Sequence, residues 1–196
     1  RLTFGHYFNF TPRWSPDGRW IVFTSYRGPS RDVYRVAAMA GGQEELVVKL
    51  EGNFNEILDW SLDGRFLLYQ SLNPQTKYDL WMVPMTEEPK PVPLLMSPFV
   101  EADASLSPDG RWVAYHSDES GRNELYVQSF PTPGSKTQIS TQGANDKYGN
   151  FRVDNSVWWR RADEILYLSA DSSTMMVVPV ETGESVKVGA SRSLFK

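Results

Sequence analysis

The side chains that could act as acid, base or nucleophile are few and lie far apart in the sequence. His6 and His116 are the two histidines that could activate a serine, and no Gly-x-Ser-x-Gly segment supplies that serine. His116 falls at an alternating position of a predicted strand and is expected to be structural or partly exposed. His6 falls in a predicted loop, and no motif ties it to a serine or a carboxylate. We therefore expect no peptidase centre within this chain.

Acidic residues could in principle serve glycoside hydrolysis or metal binding. The acidic pairs are Glu44/Glu45, Glu87/Glu88 and Glu101/Asp103. Solvated loop charge is the expected explanation for all of them. Asp17, Asp63 and Asp109 each lie in a separate turn of a repeat, so they are expected to be too far apart to share a metal ion. The sequence contains no cysteine, no His-Glu-x-x-His and no Gly-rich phosphate loop, and it predicts no catalytic residue, no metal site and no cofactor.

Composition excludes several broad classes. The chain has 196 residues, of which 40% are hydrophobic and 13% aromatic, which is typical of a folded globular protein. The formal net charge of −4 gives no overall attraction to nucleic acid, and no run of apolar residues is long enough for membrane insertion. No basic and apolar leader opens the chain, so any targeting signal is expected to have been removed or to lie outside this sequence.

One heptapeptide recurs at a constant interval. Trp14-Ser-Pro-Asp-Gly-Arg-Trp20 returns 46 residues later as Trp60-Ser-Leu-Asp-Gly-Arg-Phe66, and again after 46 as Leu106-Ser-Pro-Asp-Gly-Arg-Trp112. Proline, aspartate and glycine in this order indicate a tight turn between two strands. A fourth unit is degenerate: it aligns with Trp158 in place of Trp14, and its turn contains Arg161-Ala162.

Each repeat unit contains strand-like segments in the same order. Second strands are predicted at 20–25, 66–71, 112–117 and 165–169, third strands at 32–36, 79–83, 124–128 and 174–178, and outer strands at 45–50, 92–96, 137–140 and 191–195. An inner strand precedes each turn, whereas helical periodicity is almost absent. Four strands in about 46 residues is the period of a β-propeller blade, so the sequence predicts an all-β propeller with four four-stranded blades. The repeated aromatic residues are expected to fill the wedges between adjacent blades.

The motif and the strands that follow it resemble the TolB-type, WD-like propeller repeat. The residues on which this resemblance rests are Trp14 to Arg19, Trp20-Ile-Val-Phe-Thr-Ser25 and Asp32-Val-Tyr34. The stretch from Ser117 to Pro131 is further similar to the C-terminal propeller of bacterial receptor-like serine/threonine kinases. This resemblance implies a bacterial, extracytoplasmic or periplasmic module of a larger protein.

The predicted blades span about 5–50, 51–97, 98–142 and 143–196 of a single propeller domain. Residues 1–4 resemble an outer strand, which belongs either to a preceding blade or to a clasp that closes a four-bladed ring. We expect the first arrangement, in which the chain is part of a propeller with six or more blades. Exposed blade faces would then permit self-association.

Binding residues are predicted in the loops that join one blade to the next. These loops are placed at 5–10, 52–56, 98–103 and 143–154, where residue types change from blade to blade while the framework does not. The polar candidates are Asn9, Asn55 and Glu101, the charged ones Arg13 and Asp59, and the apolar anchors Tyr7, Phe54 and Phe99.

The predicted function is a non-catalytic propeller that binds a protein, peptide or small ligand at the mouth of its channel. The alternative is a propeller cap that gates the catalytic domain of a prolyl oligopeptidase-like serine peptidase, a domain that this sequence does not contain. A purely structural role, in which the fragment packs against other blades or a symmetry partner, is the third hypothesis.

Overall fold

The computed structural model describes residues 2–52, 54–145 and 156–195, and these residues form β-strands and no helix. The strands make four antiparallel sheets in which neighbours in sequence pair, with one exception at the end of the last sheet. The chain divides near the end of the eighth strand into two compact units, Arg1–Leu94 and Leu95–Lys196. Each unit contains two of the sheets, and each is described by itself.

The first unit contains two sheets of four strands. Its first sheet consists of β1 (Phe8–Trp14), β2 (Trp20–Tyr26), β3 (Arg31–Ala37) and β4 (Glu45–Val48), and its second of β5 (Asn55–Trp60), β6 (Phe66–Asn73), β7 (Lys77–Pro84) and β8 (Val92–Leu95). A core of interdigitated apolar side chains joins the two sheets, with Val22 and Val33 of the first packed on Ile57, Leu67 and Tyr69 of the second. Burial of these side chains is the main force that holds the sheets together.

The second unit repeats this plan with one addition. Its first sheet consists of β9 (Glu101–Leu106), β10 (Trp112–Ser117), β11 (Glu124–Ser129) and β12 (Lys136–Gln138), and its second of β13 (Val157–Arg161), β14 (Glu164–Leu168), β15 (Met175–Thr182), β16 (Val186–Val188) and β17 (Arg192–Phe195). β17 pairs with the first half of β15 and takes the predicted outer position, whereas β16 pairs with the second half as a strand that the sequence did not predict.

The three repeated turns share one set of hydrogen bonds. In the first, Ser15 Oγ donates to Asp17 Oδ1 at 2.6 Å and accepts the backbone N–H of Trp20 at 2.9 Å, while the backbone N–H of Arg19 donates to the same carboxylate. Gly18, Gly64 and Gly110 complete the turns at φ of 69°, 76° and 66°, a region that favours glycine. The aspartates therefore have turn-forming roles, as the sequence predicted.

A missing β-bulge changes the alignment of the fourth repeat. In the second sheet, Ile57 pairs with Tyr69 and Trp60 with Leu67, with one extra residue in between. In the fourth, Val157 pairs with Tyr167 and Trp159 with Ile165 without an extra residue. Trp159 is thus the counterpart of Trp60, and the sequence alignment that gave this place to Trp158 is wrong by one residue.

Several repeated aromatic residues lie between the two sheets of a unit, as predicted for the wedges between blades: Trp60, Tyr69 and Trp81 in the first unit and Trp112 in the second belong to the cores that join the sheets or pack against them. Cross-strand stacks are formed by Phe23 and Tyr34, Tyr69 and Trp81, and Tyr115 and Tyr126, with ring centroids 6.0–6.4 Å apart. Burial raises the pKa of Tyr69 and of Tyr115 above the ordinary value. Trp14 is the exception, because 61% of its surface is exposed.

Two sequence assignments of loops and strands need correction. The innermost strands begin at Phe8, Asn55 and Glu101, so Asn9, Asn55 and Glu101 lie in strands and not in the loops predicted for them. Leu2, Thr3 and Phe4, which resemble an outer strand, belong to no strand of the structure. The apolar residues in this opening segment were therefore not a sufficient sign of sheet pairing.

Candidate functional site

The first unit presents a group of arginine and aromatic side chains at one end of its sheets. At this loop end, β4 leads to β5 and β2 leads to β3, whereas the repeated turns lie at the opposite turn end. We call the group the arginine–aromatic cluster, and its members are Tyr7, Phe10, Arg27, Arg31, Tyr34 and Phe54.

Arg27 connects an exposed aromatic ring to the first sheet. Its guanidinium lies 3.8 Å from the ring centroid of Tyr34 and 4.6 Å from that of Tyr7. An ion pair with Glu44 fixes its far end, and Nε donates to Ser25 Oγ at 2.9 Å. Cation–π contacts of this kind contribute about 0.5–1 kcal/mol each at exposed sites. Tyr7 is therefore held on the sheet although 51% of its surface is exposed.

Arg31 lies between two phenylalanine rings and is buried. Its guanidinium is 4.3 Å from the ring centroid of Phe10 and 3.8 Å from that of Phe54. Nη1 is 3.4 Å from Oε1 of the buried Glu56, whose Oε2 accepts a 2.9 Å hydrogen bond from Gln70. A buried charge is tolerated when it is paired and hydrogen-bonded, so this group fixes the loop between the two sheets.

Four of the sequence-predicted site residues meet at this loop end: Tyr7, Asn9, Phe54 and Asn55. Asn9 is exposed, and its Oδ1 accepts a 2.7 Å hydrogen bond from Ser25. Phe54 is half-buried against Arg31. Asn55 has no exposed surface, and its Nδ2 donates to the carbonyl oxygens of Arg31 and Gly52. Its side chain thus ties the loop to β3 and is not accessible to a ligand in this structure.

Arg13 and Asp59 lie farther along the innermost strands, away from the cluster. Arg13 Nε donates to the carbonyl oxygen of Leu58 at 2.8 Å and so links β1 to β5. Asp59 is half-buried, and its Oδ1 accepts the N–H of Trp60 at 2.8 Å. The backbone of Asp59 pairs with Leu68 of β6, so both residues are engaged with neighbouring strands of the first unit.

Phe99 and Glu101 belong to the second unit. Phe99 has 41% of its surface exposed, as expected of an apolar anchor. Glu101 is only 4% exposed, and its carboxylate accepts hydrogen bonds from the hydroxyl and the backbone N–H of Ser97. The expectation that Glu101 carries solvated loop charge is therefore wrong, because the carboxylate caps the segment that precedes β9.

Carboxylates at the start of the third strands were missed by the sequence reasoning. Asp32 Oδ1 accepts the N–H of Leu50 at 3.0 Å, and Glu124 Oε1 accepts the N–H of Gly143 at 2.9 Å. Each fixes the segment that leaves the fourth strand of its sheet. The sequence does contain a signal for these carboxylates, because the predicted third strands begin at an acidic residue in three of the four repeats.

A serine, a histidine and an aspartate meet inside the second unit. Ser156 Oγ lies 2.7 Å from Asp103 Oδ2 and 3.0 Å from His116 Nε2. A carboxylate only accepts, so Ser156 donates its hydrogen bond to Asp103 and accepts one from the Nε2–H of His116. Burial lowers the pKa of His116 to about 4, which keeps the ring neutral near pH 7. The serine, which has no exposed surface, lies between the other two and has no base to activate it, so this trio is structural.

Three further findings concern the described residues alone. They contain no group of three or more His, Asp or Glu side chains arranged to hold a metal ion. Within the described ranges no helix is long and apolar enough to cross a membrane. The fourth predicted binding loop, 143–154, lies outside the described residues from position 146 onwards.

Comparison with solved structures identifies the architecture. A protein described as TolB from Agrobacterium tumefaciens superposes with a TM-score of 0.70 at 17% identity, over 99% of this chain and 69% of the other. TolB from Acinetobacter baumannii gives a TM-score of 0.60 at 20% identity, over 91% of this chain and 44% of the other. The chain has a TolB-like β-propeller fold.

The same propeller architecture occurs in proteins with different activities. A puromycin-hydrolysing peptidase from Mycobacterium tuberculosis matches with a TM-score of 0.62 at 18% identity, over 96% of this chain but only 29% of the peptidase. No protein-family model matches the chain. Likeness at these identities shows the propeller fold alone, and the resemblance to receptor-like kinases stays a prediction.

Proposed function

We propose that this chain is a non-catalytic binding module whose loop end takes up a protein or peptide partner. The observation that carries the proposal is a short segment of exposed aromatic side chains at this end of the first unit. Phe4, Tyr7 and Phe8 are 64%, 51% and 73% exposed. Clustered exposed aromatic residues are unfavourable in water and are enriched where proteins bind other proteins.

The arginine–aromatic cluster supports the proposal because it makes this segment a preorganised surface. Tyr7 rests on Arg27, which is itself fixed by Glu44 and Ser25. A partner that docks on a braced ring loses less conformational entropy than one that must order a free loop. Asn9 adds hydrogen-bonding capacity beside the rings, although its Oδ1 already accepts from Ser25.

The chemistry of this surface favours a partner segment with apolar anchors. The exposed rings offer stacking and apolar contact, and the nearby guanidinium groups of Arg27 and Arg31 are already neutralised by Glu44 and Glu56. We infer an extended peptide or loop with one or two large apolar side chains as the partner. By its TolB-like resemblance, the module would act in an extracytoplasmic compartment.

The alternative function, a cap on a serine peptidase, is supported by likeness to solved peptidases. A peptidase of known structure contains a similar propeller, but this chain matches only 29% of it. No side-chain arrangement in the described residues favours a peptidase over a binding module, so we retain the binding module as the proposal.

Panning a random dodecapeptide phage library on the whole chain tests the proposal. Enriched peptides are then titrated against the wild type, a Tyr7→Ser/Phe8→Ser double variant and a Met39→Ser control, in which another exposed apolar side chain, 69% exposed, is replaced. We expect binding to fall at least tenfold in the double variant and to be unchanged in the control. No enrichment over a protein-free surface, or equal loss in both variants, would overturn the proposal.

A further inference from the structure

A cavity at the turn end of the first unit is separate from the loop-end surface. It has a volume of about 710 Å³ and lies between the repeated turns of the first and second sheets. Trp20, Trp60, Leu62 and Met85 supply apolar walls. This volume falls within the range of about 300–1,000 Å³ that is usual for small-molecule sites.

At the equivalent place in the second unit, the two tryptophan side chains are buried. Trp112 and Trp159 are the counterparts of Trp20 and Trp60, and they are only 4% and 8% exposed. Trp20 and Trp60 are only partly buried instead. The same pair of tryptophans is therefore packed into the core in one unit and lines an open cavity in the other.

Arg35 accounts for the opening, and Leu62 extends the apolar wall of the open cavity. Arg35 pairs with Val22 on β2, where the second unit has Val127 paired with Ala114. The arginine cannot enter the core: its guanidinium lies 4.2 Å from the ring centroid of Trp20 and pairs with Glu45 at 2.8 Å. Leu62 replaces the proline found in the other two turns and presents a side chain of which 65% is exposed.

The charged residues that line the cavity are paired within the described part of the chain, with the exception of one carboxylate. Asp17 and Asp63 are neutralised by Arg19 and Arg65, at 2.6 Å in both turns, and Arg35 is neutralised by Glu45. Glu87 also lines the cavity, and it forms no ion pair with another residue of the described ranges. One negative charge thus remains beside apolar and aromatic walls.

We propose that this turn-end cavity binds a small organic cation that combines an aromatic or apolar body with one positive charge. The body contacts Trp20, Trp60 and Leu62, and the charge lies near Glu87. Tryptophan faces favour cations, as the contact between Arg35 and Trp20 already illustrates within this cavity. The site is independent of the loop end, so it can fail or succeed without affecting the proposed function.

Calorimetric titration of the whole chain with tryptamine tests this proposal, and indole-3-propionate, which has a similar ring but a negative charge, is the matched probe. We expect saturable binding of tryptamine and at least tenfold weaker binding of indole-3-propionate. Glu87→Gln should weaken tryptamine binding at least threefold, whereas Glu88→Gln, which alters the neighbouring carboxylate outside the cavity lining, should not.

Leu62→Pro provides a second variant that tests the apolar wall. It restores the residue present in the other two turns, so folding is expected to be retained, and it should also weaken tryptamine binding. Absence of saturable tryptamine binding to the wild type would overturn the proposal. Equal binding of the two indole probes, or equal affinities of the Glu87→Gln and Glu88→Gln variants, would do the same.

Discussion

The hydroxyl of Ser61 donates a hydrogen bond of 2.7 Å to Oδ1 of Asp63 and accepts the backbone N–H of Phe66 at 2.9 Å. One side chain thus closes the turn and starts the next strand. The backbone N–H of Arg65 and the hydroxyl of Ser61 hold the pKa of Asp63 at about 2. The turn therefore stays ionised and intact at any pH well above 2.

Replacement of this hydroxyl should weaken the turn. In Ser61→Ala we expect the free energy of unfolding to fall by about 1 kcal/mol, because the N–H of Phe66 loses its acceptor. The pKa of Asp63 should rise towards its ordinary value, since one of the groups that lower it is gone. Urea denaturation and a carboxyl NMR titration measure the two effects. Ser185→Ala, at an exposed serine, should change neither.

Burial of His116 should make stability depend on pH in a defined window. The folded pKa of about 4 lies below the ordinary 6.5, so the unfolded chain binds the extra proton first as pH falls. The free energy of unfolding should therefore decrease between pH 6.5 and pH 4, by about 3 kcal/mol in total. Chemical denaturation at a series of pH values measures this decrease.

A histidine substitution isolates this effect. His116→Gln, which copies the residue at the equivalent position 70 of the second repeat, keeps an N–H donor for Ser156 and should abolish the slope between pH 6.5 and 5, above the range in which the turn aspartates contribute. Ser185→Ala, at an exposed serine that does not titrate in this range, should leave the slope as in the wild type. An unchanged slope in His116→Gln would show that other groups cause it.

Separation of the buried charges in the first unit should be costly. Arg31→Met keeps an apolar stem between Phe10 and Phe54 but leaves the buried Glu56 without its cation, and we expect a loss of about 3 kcal/mol in unfolding free energy. Adding Glu56→Gln should recover part of the loss. If the double variant is less stable than Arg31→Met alone, the unpaired buried charge of Glu56 is not the cause of the loss.

A glycine in the second unit should not tolerate a methyl group. Gly143 has a φ of 87°, and an added Cβ would lie 2.9 Å from that of Ala170. We expect Gly143→Ala to destabilise the chain by about 2 kcal/mol, because strain and overlap act together. Gly28→Ala, where the added Cβ meets open space, should be neutral or slightly stabilising. Thermal melts of the two variants provide the comparison, and equal melting temperatures would contradict it.

Features of the fold that depend on short stretches of sequence were predicted, whereas features that depend on contacts between distant residues were not. The turn motif and the alternating strands predicted the second and third strands closely, because turn chemistry and the period of two are local properties. Burial of Asn55 and Glu101 depends on contacts with Arg31 and Ser97 that no local pattern encodes. The shift at Trp159 escaped notice because a bulge inserts a residue without changing residue types.

Local sequence patterns also could not predict the turn-end cavity or the arginine–aromatic cluster. The sequence singled out Tyr7 and Phe54 as apolar anchors and Asn9 as a polar contact, and all three lie at one end of the first unit. It gave no sign that Arg27 and Arg31 would lie against their rings, since cation–π contacts join residues that are distant in the chain. The turn-end cavity depends on the difference in packing between two copies of the same repeat.

Ser169, Asp171 and Thr174 form the turn between β14 and β15 with the same bonds that the repeated motif makes at the other end of its sheets. Ser169 Oγ donates to Asp171 Oδ1 at 2.6 Å and accepts the N–H of Thr174 at 3.1 Å, and Ser172 has a φ of 59° where the motif has glycine. This six-residue turn therefore joins two antiparallel strands at either end of a sheet. A search that counts propeller blades by the recurrence of this turn would therefore count one blade too many in the last sheet.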